Sequence, residues 1–378
     1  MRIGHLQKRL LLGIAAALAL LTSPASAMHS MDHPGDEILL TASTRAELNG
    51  EFRKGVAGIP GVLSIADVGR LRVYLVRTRD AQGSVVDQAP RDFFYALDAM
   101  VFDPASYPPF VGAAGDPLAG LGEGEVVLGV TSAKVRRLGP GSVLELLDGT
   151  RLIVRAIVDD QLIQNRELAL ASPGFANGEG PSRPYLLIRY DGPQDTIEAQ
   201  MQAILPEETP LRLRALEPSE FLASPAAILP QAQMKVALGE FAYRPTAGRT
   251  IVRDPAWESD NLANAEIPLL GRVRCHVVLI PALQGAMQEL IDAGLGDLIV
   301  PEAFQGCDNP RLIGVGRGFS RHAWGAAVDI NYSDDTTVRA NGADPRLVAI
   351  MDRWGFTSGH LWHNPDPGHF EYVGPPKI

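Results

Sequence analysis

The chain has 378 residues, 46% of them hydrophobic and 21% charged, with a formal net charge of −10 and two cysteines. Such acidity argues against nucleic acid as a partner and against strong adhesion to anionic lipid, since both require a positive field. The length suffices for two domains of ordinary size, each with its own core.

Arg2, Lys8 and Arg9 open the chain, Leu10 to Leu21 is apolar, and Ala25-Ser26-Ala27 is a small-residue cleavage site. Residues 1–27 are therefore expected to be a signal peptide. The apolar run falls short of the about 20 residues of a comfortable membrane span, so no stable membrane insertion is expected after cleavage. Removing Arg2, Lys8 and Arg9 makes the chain three charges more negative. A secreted, periplasmic or cell-wall-associated protein is the consequence. Met28-His29-Ser30-Met31-Asp32-His33 offers metal-capable side chains but reads as a solvated terminus.

Residues 28–230 read as a β-rich interaction domain. After an amphipathic helix expected within Ser43 to Lys54, short strand-like runs follow: Val62 to Ile65, Leu71 to Arg77, Phe93 to Tyr95, Glu125 to Val130, Ser142 to Leu147, Arg151 to Val158, Leu168 to Ala171 and Tyr185 to Tyr190. Gly, Pro, Asp and Asn separate them. Thr196 to Ile204 is a helix stopped by Pro206, Leu211 to Ala215 another strand, and Glu217 to Phe221 a turn. No group of His, Cys or paired carboxylates in this half suggests catalysis. Residues 231–264 are expected to be the junction.

The remainder, 265–378, has clearer punctuation. Ile267 to Leu270 and Val273 to Ile280 read as strand, with His276 as a hydrogen-bonded core histidine. Pro281 suits a first helical turn, Leu283, Met287, Leu290 and Ile291 form one stripe, and Gly294 or Gly296 ends the helix. A second helix has Asp344 as cap, Pro345 in its first turn, Leu347, Val348, Ile350, Met351 and Trp354 inward, and Gly355 as stop. Helices and strands thus alternate around a small, mostly antiparallel sheet, and the fold class is α+β. Cys275 and Cys307, in an exported chain, are expected to form a disulfide worth roughly 3 to 4 kcal/mol.

Two stretches carry chemistry. In Ser320-Arg321-His322-Ala323-Trp324-Gly325-Ala326-Ala327-Val328-Asp329-Ile330-Asn331, a carboxylate sits inside a strand-like apolar run. Burying it alone is too unfavourable, so it needs an arginine, a turn or a metal ion. In Asp366-Pro367-Gly368-His369-Phe370-Glu371, extended backbone turns His369 and Glu371 to one face. His322, Asp329 and His369 make a mixed nitrogen and oxygen donor set with room for an open position, which suits Zn2+. Asp366, held beside it by the turn, stands where a hydrolase needs a base. Glu371 is placed to orient a ligand.

Ser-x-His-x-x-Gly-x-Ala-x-Asp followed by Asp-x-x-His-Phe-Glu resembles the VanX/VanY-type zinc peptidases, which include D-alanyl-D-alanine carboxypeptidases and L-alanyl-D-glutamate endolysins. The resemblance covers the chain from about Ile267 onward and implies His322, Asp329 and His369 as zinc ligands, with Asp366 as general base. Peptidoglycan stem peptides are then the substrate, with carboxypeptidase action first and endopeptidase action second. A zinc-bearing wall binder without turnover is the reading from another class. The family's Trp-Gly-Gly-x-Trp becomes Ser358-Gly359-His360-Leu361-Trp362 here, so the first tryptophan is lost and His360 is new in that wall. Ser320, His360 and Trp362 are placed on the substrate side. Arg311 is the nearest candidate for the arginine that holds the substrate's carbonyl or carboxylate, with Arg317 and Arg321 as rivals.

Gly124 to Gly129, Gly139 to Leu144 and Arg151 to Asp160 resemble the periplasmic core domain of FtsX/MacB-type permeases. That implies contact with an envelope protein or wall component and no catalysis in the N-terminal half.

Overall fold

A computed structural model describes residues 37–44, 50–172, 184–206, 209–216, 229–314, 318–362 and 365–377. The expected signal peptide, the histidines at 29 and 33, the turn at 217–221, Arg317 and His363 lie outside them.

Strands β1 (Glu37–Thr44), β2 (Val62–Arg79), β3 (Val85–Gln88), β4 (Tyr95–Phe102), β5 (Glu125–Gly129), β6 (Val143–Leu146), β7 (Arg151–Val158), β8 (Leu168–Ala171), β9 (Pro184–Asp191) and β10 (Leu211–Leu216) build one ten-stranded sheet. Within it β2, β4, β8, β5, β7 and β6 are neighbours in that order, and β6 returns to β2. A closed barrel results, which leaves those strands without edges. Leu75, Leu97, Val126, Leu128, Leu144 and Leu168 fill it. The expected separate strands Val62 to Ile65 and Leu71 to Arg77 are one strand of 18 residues, because Gly69 and Arg70 continue the ladder instead of turning. Ser43 and Thr44 are strand rather than helix, paired with Arg212 and Leu211, and the expected helix begins only at Gly50.

The C-terminal half adds β11 (Tyr243–Pro245) with β12 (Ile251–Arg253), the hairpin β13 (Leu262–Ile267) and β14 (Gly271–His276), and a three-stranded antiparallel sheet of β15 (Ala327–Asp329), β17 (His369–Tyr372) and β16 (Phe356–Ser358). Helices Leu279–Asp292 and Pro345–Arg353 pack beside these strands. Gly285 has no side chain because the Trp354 ring fills that space, and Trp354 Nε1 donates to Glu289 Oε2 at 2.6 Å. The fold is α+β. The strand expected to reach Ile280 ends at His276, where Nδ1 accepts the Val278 N–H at 3.2 Å and starts the turn into the helix. His276 Nε2 lies 3.0 Å from the Leu238 carbonyl, so this buried histidine is hydrogen-bonded at both nitrogens.

Residues 231–264, read from the sequence as junction, carry the helices Gln231–Leu238 and Pro255–Asn261 with β11 and β12 between them. Met234, Leu238, Phe241, Tyr243, Ile251 and Trp257 share one buried cluster with the helix Leu279–Asp292 and the strands of the small sheet. This core also meets the barrel. Phe94 and Tyr243 exchange backbone hydrogen bonds of 3.0 and 2.9 Å, and their rings stand edge-on at 4.6 Å. Beside them Glu167, fully buried, receives Lys235 Nζ at 2.7 Å and Arg136 Nη2 at 2.8 Å, and Lys235 also reaches Glu240 at 2.6 Å. Burial alone would raise the Glu167 carboxyl, but Lys235 and Arg136 hold it down at about 2. Ile38–Ile378 is accordingly one compact unit.

Candidate metal centre

Register brings two of the three expected donors together. Asp329 ends β15 and lies opposite His369, the first residue of β17, in antiparallel pairing. Directly opposed side chains share a face, and His369 Nδ1 is 2.7 Å from Asp329 Oδ1. His322 arrives from the single helical turn Arg321–Trp324 just before β15. Gly325, in the left-handed region at φ 62°, reverses the chain there. A side chain at Gly325 would press on the His276 backbone nitrogen and Leu262.

Ligand atoms of His322, Asp329 and His369 all lie within 4.8 Å of one another, and all three side chains are at most slightly exposed. His322 Nδ1 is 2.9 Å from the Cys307 carbonyl, which can only accept, so Nδ1 carries the proton. In the neutral ring that leaves a lone pair on Nε2. This atom is buried and 3.1 Å from Asp329 Oδ2, and it has no hydrogen-bond partner among the described residues. A carboxylate oxygen and an imidazole nitrogen this close and this buried share a cation between them, a proton or a metal ion.

His369 has a carboxylate at each nitrogen, Asp329 at Nδ1 and Glu371 Oε1 at 3.3 Å from Nε2. Burial would push this imidazole down, but Asp329 and Glu371 outweigh it and raise it to about 9. Burial likewise opposes the Asp329 charge, yet His322 and His369 hold its carboxyl well below the usual range. A divalent ion taking the place of the Nδ1 proton satisfies the same carboxylate, with two imidazoles and one carboxylate leaving a fourth position open. The donor set therefore fits zinc, and Glu371 would orient His369 from behind.

Asp366 sits in the turn leading into β17, its carbonyl accepting the His369 N–H at 3.2 Å and its own N–H reaching the Gly359 carbonyl at 3.0 Å. Gly368, at φ 89°, makes that turn possible, since an added Cβ would lie 2.0 Å from the Ile330 oxygen. Trp362 packs its ring 5.2 Å from His369, and its Nε1 is buried without a hydrogen-bond partner among the described residues. His360 keeps Nδ1 2.9 Å from Ser358 Oγ, which leaves Nε2 as its available nitrogen. Ser320 is buried, its N–H bound to the Arg311 carbonyl at 3.1 Å and its own carbonyl to the Ala323 N–H at 2.9 Å. Those contacts make Ser320 a brace for the His322 turn. Of the three arginines, Arg321 is engaged with the Leu229 carbonyl at 2.6 Å and with Glu371 at 3.5 Å. Arg311 is half-buried, and its guanidinium has no ion-pair or hydrogen-bond partner among the described residues.

One supporting residue escapes the sequence reading. Arg253, 1% exposed, donates to the Ala323 carbonyl at 2.9 Å and to both oxygens of Asp308 at 2.7 and 3.2 Å. It ties the His322 turn to the loop of Cys307, and Cys307 is bonded to Cys275. A buried arginine must be paired, but in the sequence it lies within a polar stretch that gives no sign of burial.

Among solved structures, the periplasmic region of MacB from Actinobacillus actinomycetemcomitans is similar over 46% of this chain and 87% of that one, at 13% identity and a TM-score of 0.30. The extracellular domain of the noncanonic ABC-type transporter YknZ from Gram-positive bacteria is similar over 48% of this chain and 100% of that one, at 12% identity and a TM-score of 0.30. No curated protein matches the chain. Residues 314–372 match the profile of the family described as D-alanyl-D-alanine carboxypeptidase. The segment holding His322, Asp329, Asp366 and His369 is thus the part of the chain that matches a D-alanyl-D-alanine carboxypeptidase family.

Proposed function

We propose that the chain is an exported zinc metallopeptidase that hydrolyses peptidoglycan stem peptides, acting as a D-alanyl-D-alanine carboxypeptidase. The observation that carries this reading is the convergence of His322 Nε2, the Asp329 carboxylate and His369 Nδ1 within 4.8 Å of one another, with His322 Nε2 buried and without a hydrogen-bond partner among the described residues. The family match over the same residues supplies the substrate class.

Zinc held by His322, Asp329 and His369 would supply Lewis-acid polarisation of the scissile carbonyl and acidify water. Asp366 takes up the proton of the attacking water and returns it to the leaving amine. The Cys307 carbonyl engages Nδ1 of His322 and Glu371 engages Nε2 of His369, so the opposite nitrogen of each ring would be the one to hold a metal ion. Arg311, with its charge uncommitted among the described residues, receives the substrate's terminal carboxylate. Trp362 provides an apolar wall, and His360 offers Nε2 to the developing oxyanion. The barrel is the surface through which the chain meets a wall component or envelope partner.

Incubating the purified full chain with a defined pentapeptide muropeptide and weighing the products by mass spectrometry tests this. Loss of one D-alanine is expected from zinc-loaded protein, with no turnover after chelation. Asp366→Ala should keep its zinc yet lose at least about 100-fold in rate. A zinc-loaded chain that binds the fragment and releases nothing would instead be a non-catalytic wall binder, and cleavage inside the stem would make it an endopeptidase.

A further inference from the structure

The rear of the candidate metal site is held by a polar chain that leads away from it. Behind His369, Glu371 presents Oε1 to Nε2 at 3.3 Å and Oε2 to Arg321 Nε at 3.5 Å. Arg321 in turn donates Nη2 to the Leu229 carbonyl at 2.6 Å. Both Arg321 and Glu371 are largely buried, with side chains 15% and 10% exposed, so neither is a solvated surface charge. Leu229 lies just before the helix Gln231–Leu238, whose Gln231 and Lys235 both bond Glu167 of the barrel at 2.7 Å.

The consequence concerns the proton on His369. Glu371, accepting from Nε2, favours the ring form with its proton there, which leaves Nδ1, the nitrogen on the Asp329 side, available to a metal ion. Released, Glu371 has the rotamer freedom of any long carboxylate, and the ring loses both its fixed tautomer and its fixed plane.

We propose that Arg321 is a positioning residue for His369, acting through Glu371, and that the Leu229 carbonyl sets its reach. It touches neither substrate nor metal. This rests on the proposed zinc site and assigns Arg321, one of three candidate substrate arginines, a structural partner instead of a substrate. Its neighbour His322 is the donor on the other flank, so one helical turn supplies a ligand directly and orients another from behind.

The test uses the full chain and two readouts that need no substrate. Zinc affinity is measured by competition with a chromogenic chelator, and the cobalt-substituted protein gives the d–d absorption band of the site. Glu371→Gln should weaken zinc binding by about 10- to 100-fold. Arg321→Met should weaken it by about tenfold and alter the cobalt band, while Arg321→Lys, which keeps the charge near Glu371, should recover part of the loss. The double variant Arg321→Met, Glu371→Gln should bind zinc no more weakly than Glu371→Gln alone, because both act on one interaction. Additive losses in the double variant, or wild-type zinc affinity and cobalt spectrum in Arg321→Met, would overturn the proposal. Thermal unfolding of the metal-free variants separates a general loss of folding from a change at the site. A wild-type chain that binds no zinc would sink the zinc site itself, whereas normal wild-type binding with an indifferent Arg321→Met sinks only this inference.

Discussion

His322 Nδ1 lies 2.9 Å from the carbonyl oxygen of Cys307, whose sulfur is bonded to Cys275, 32 residues earlier in the chain. The disulfide therefore fixes the acceptor that decides which nitrogen of His322 faces Asp329. Opening it should have two effects. Stability should fall by roughly 3 kcal/mol through the freed unfolded chain, read as a lower melting temperature in reductant. Zinc affinity should fall as well, since the Cys307 loop no longer holds its carbonyl in place. Arg253 and Asp308 retain part of that loop, so the second loss should be smaller in Cys307→Ser than in Cys307→Ser combined with Arg253→Met.

Gly368 separates the proposed base from a proposed ligand. Its φ of 89° is open to glycine, and a Cβ would stand 2.0 Å from the Ile330 oxygen, with the Gly368 carbonyl itself accepting the Ile330 N–H at 2.9 Å. Gly368→Ala should cost at least about 2 kcal/mol in urea unfolding, from strain and from displaced backbone. Activity should fall further than stability alone explains, because Asp366 and His369 are both moved.

Acid should unfold this chain through buried groups other than the three metal-site donors. Glu167 titrates at about 2 in the fold against 4.5 for the free side chain. The unfolded chain thus binds that proton more tightly. The stabilisation is complete above about 4.5 and is lost as pH falls from there towards about 2. Buried His276, its base strength lowered by burial, adds a loss below its free value of 6.5. Melting temperature should therefore drop on acidification from neutral pH, and Glu167→Gln should flatten the steep part below about 4.5.

Much of the site was legible because its chemistry is written in local patterns. An acidic residue in an oily strand and a histidine three residues after an aspartate are visible without coordinates, and register then sets Asp329 opposite His369. The helix signals at Asp344 and Gly355 were equally local: the Asp344 side chain caps the Arg346 N–H at 2.9 Å. What could not be read was long-range. Nothing near Glu167, Lys235 or Arg253 in the sequence says that these charges are buried, because they find charged partners from 5 to 68 residues away. The barrel closure of β6 on β2 is likewise a pairing between distant segments, and propensity sees strands without seeing their order.

The stretch 231–264 gives a test of that long-range packing. Trp257, Phe241, Tyr243 and Met234 fill the same core as the metal-side strands. A chain beginning at residue 265 should fail to fold, giving no cooperative melt, because it removes one side of that core.

One measurement bears on the central claim more directly than any other: anomalous X-ray diffraction at the zinc edge from crystals of the zinc-loaded chain. A single strong peak is expected at about 2.0 to 2.2 Å from His322 Nε2, an Asp329 oxygen and His369 Nδ1. Stoichiometric zinc with its peak elsewhere, or no peak between these three side chains, would contradict the assignment and the hydrolysis built on it.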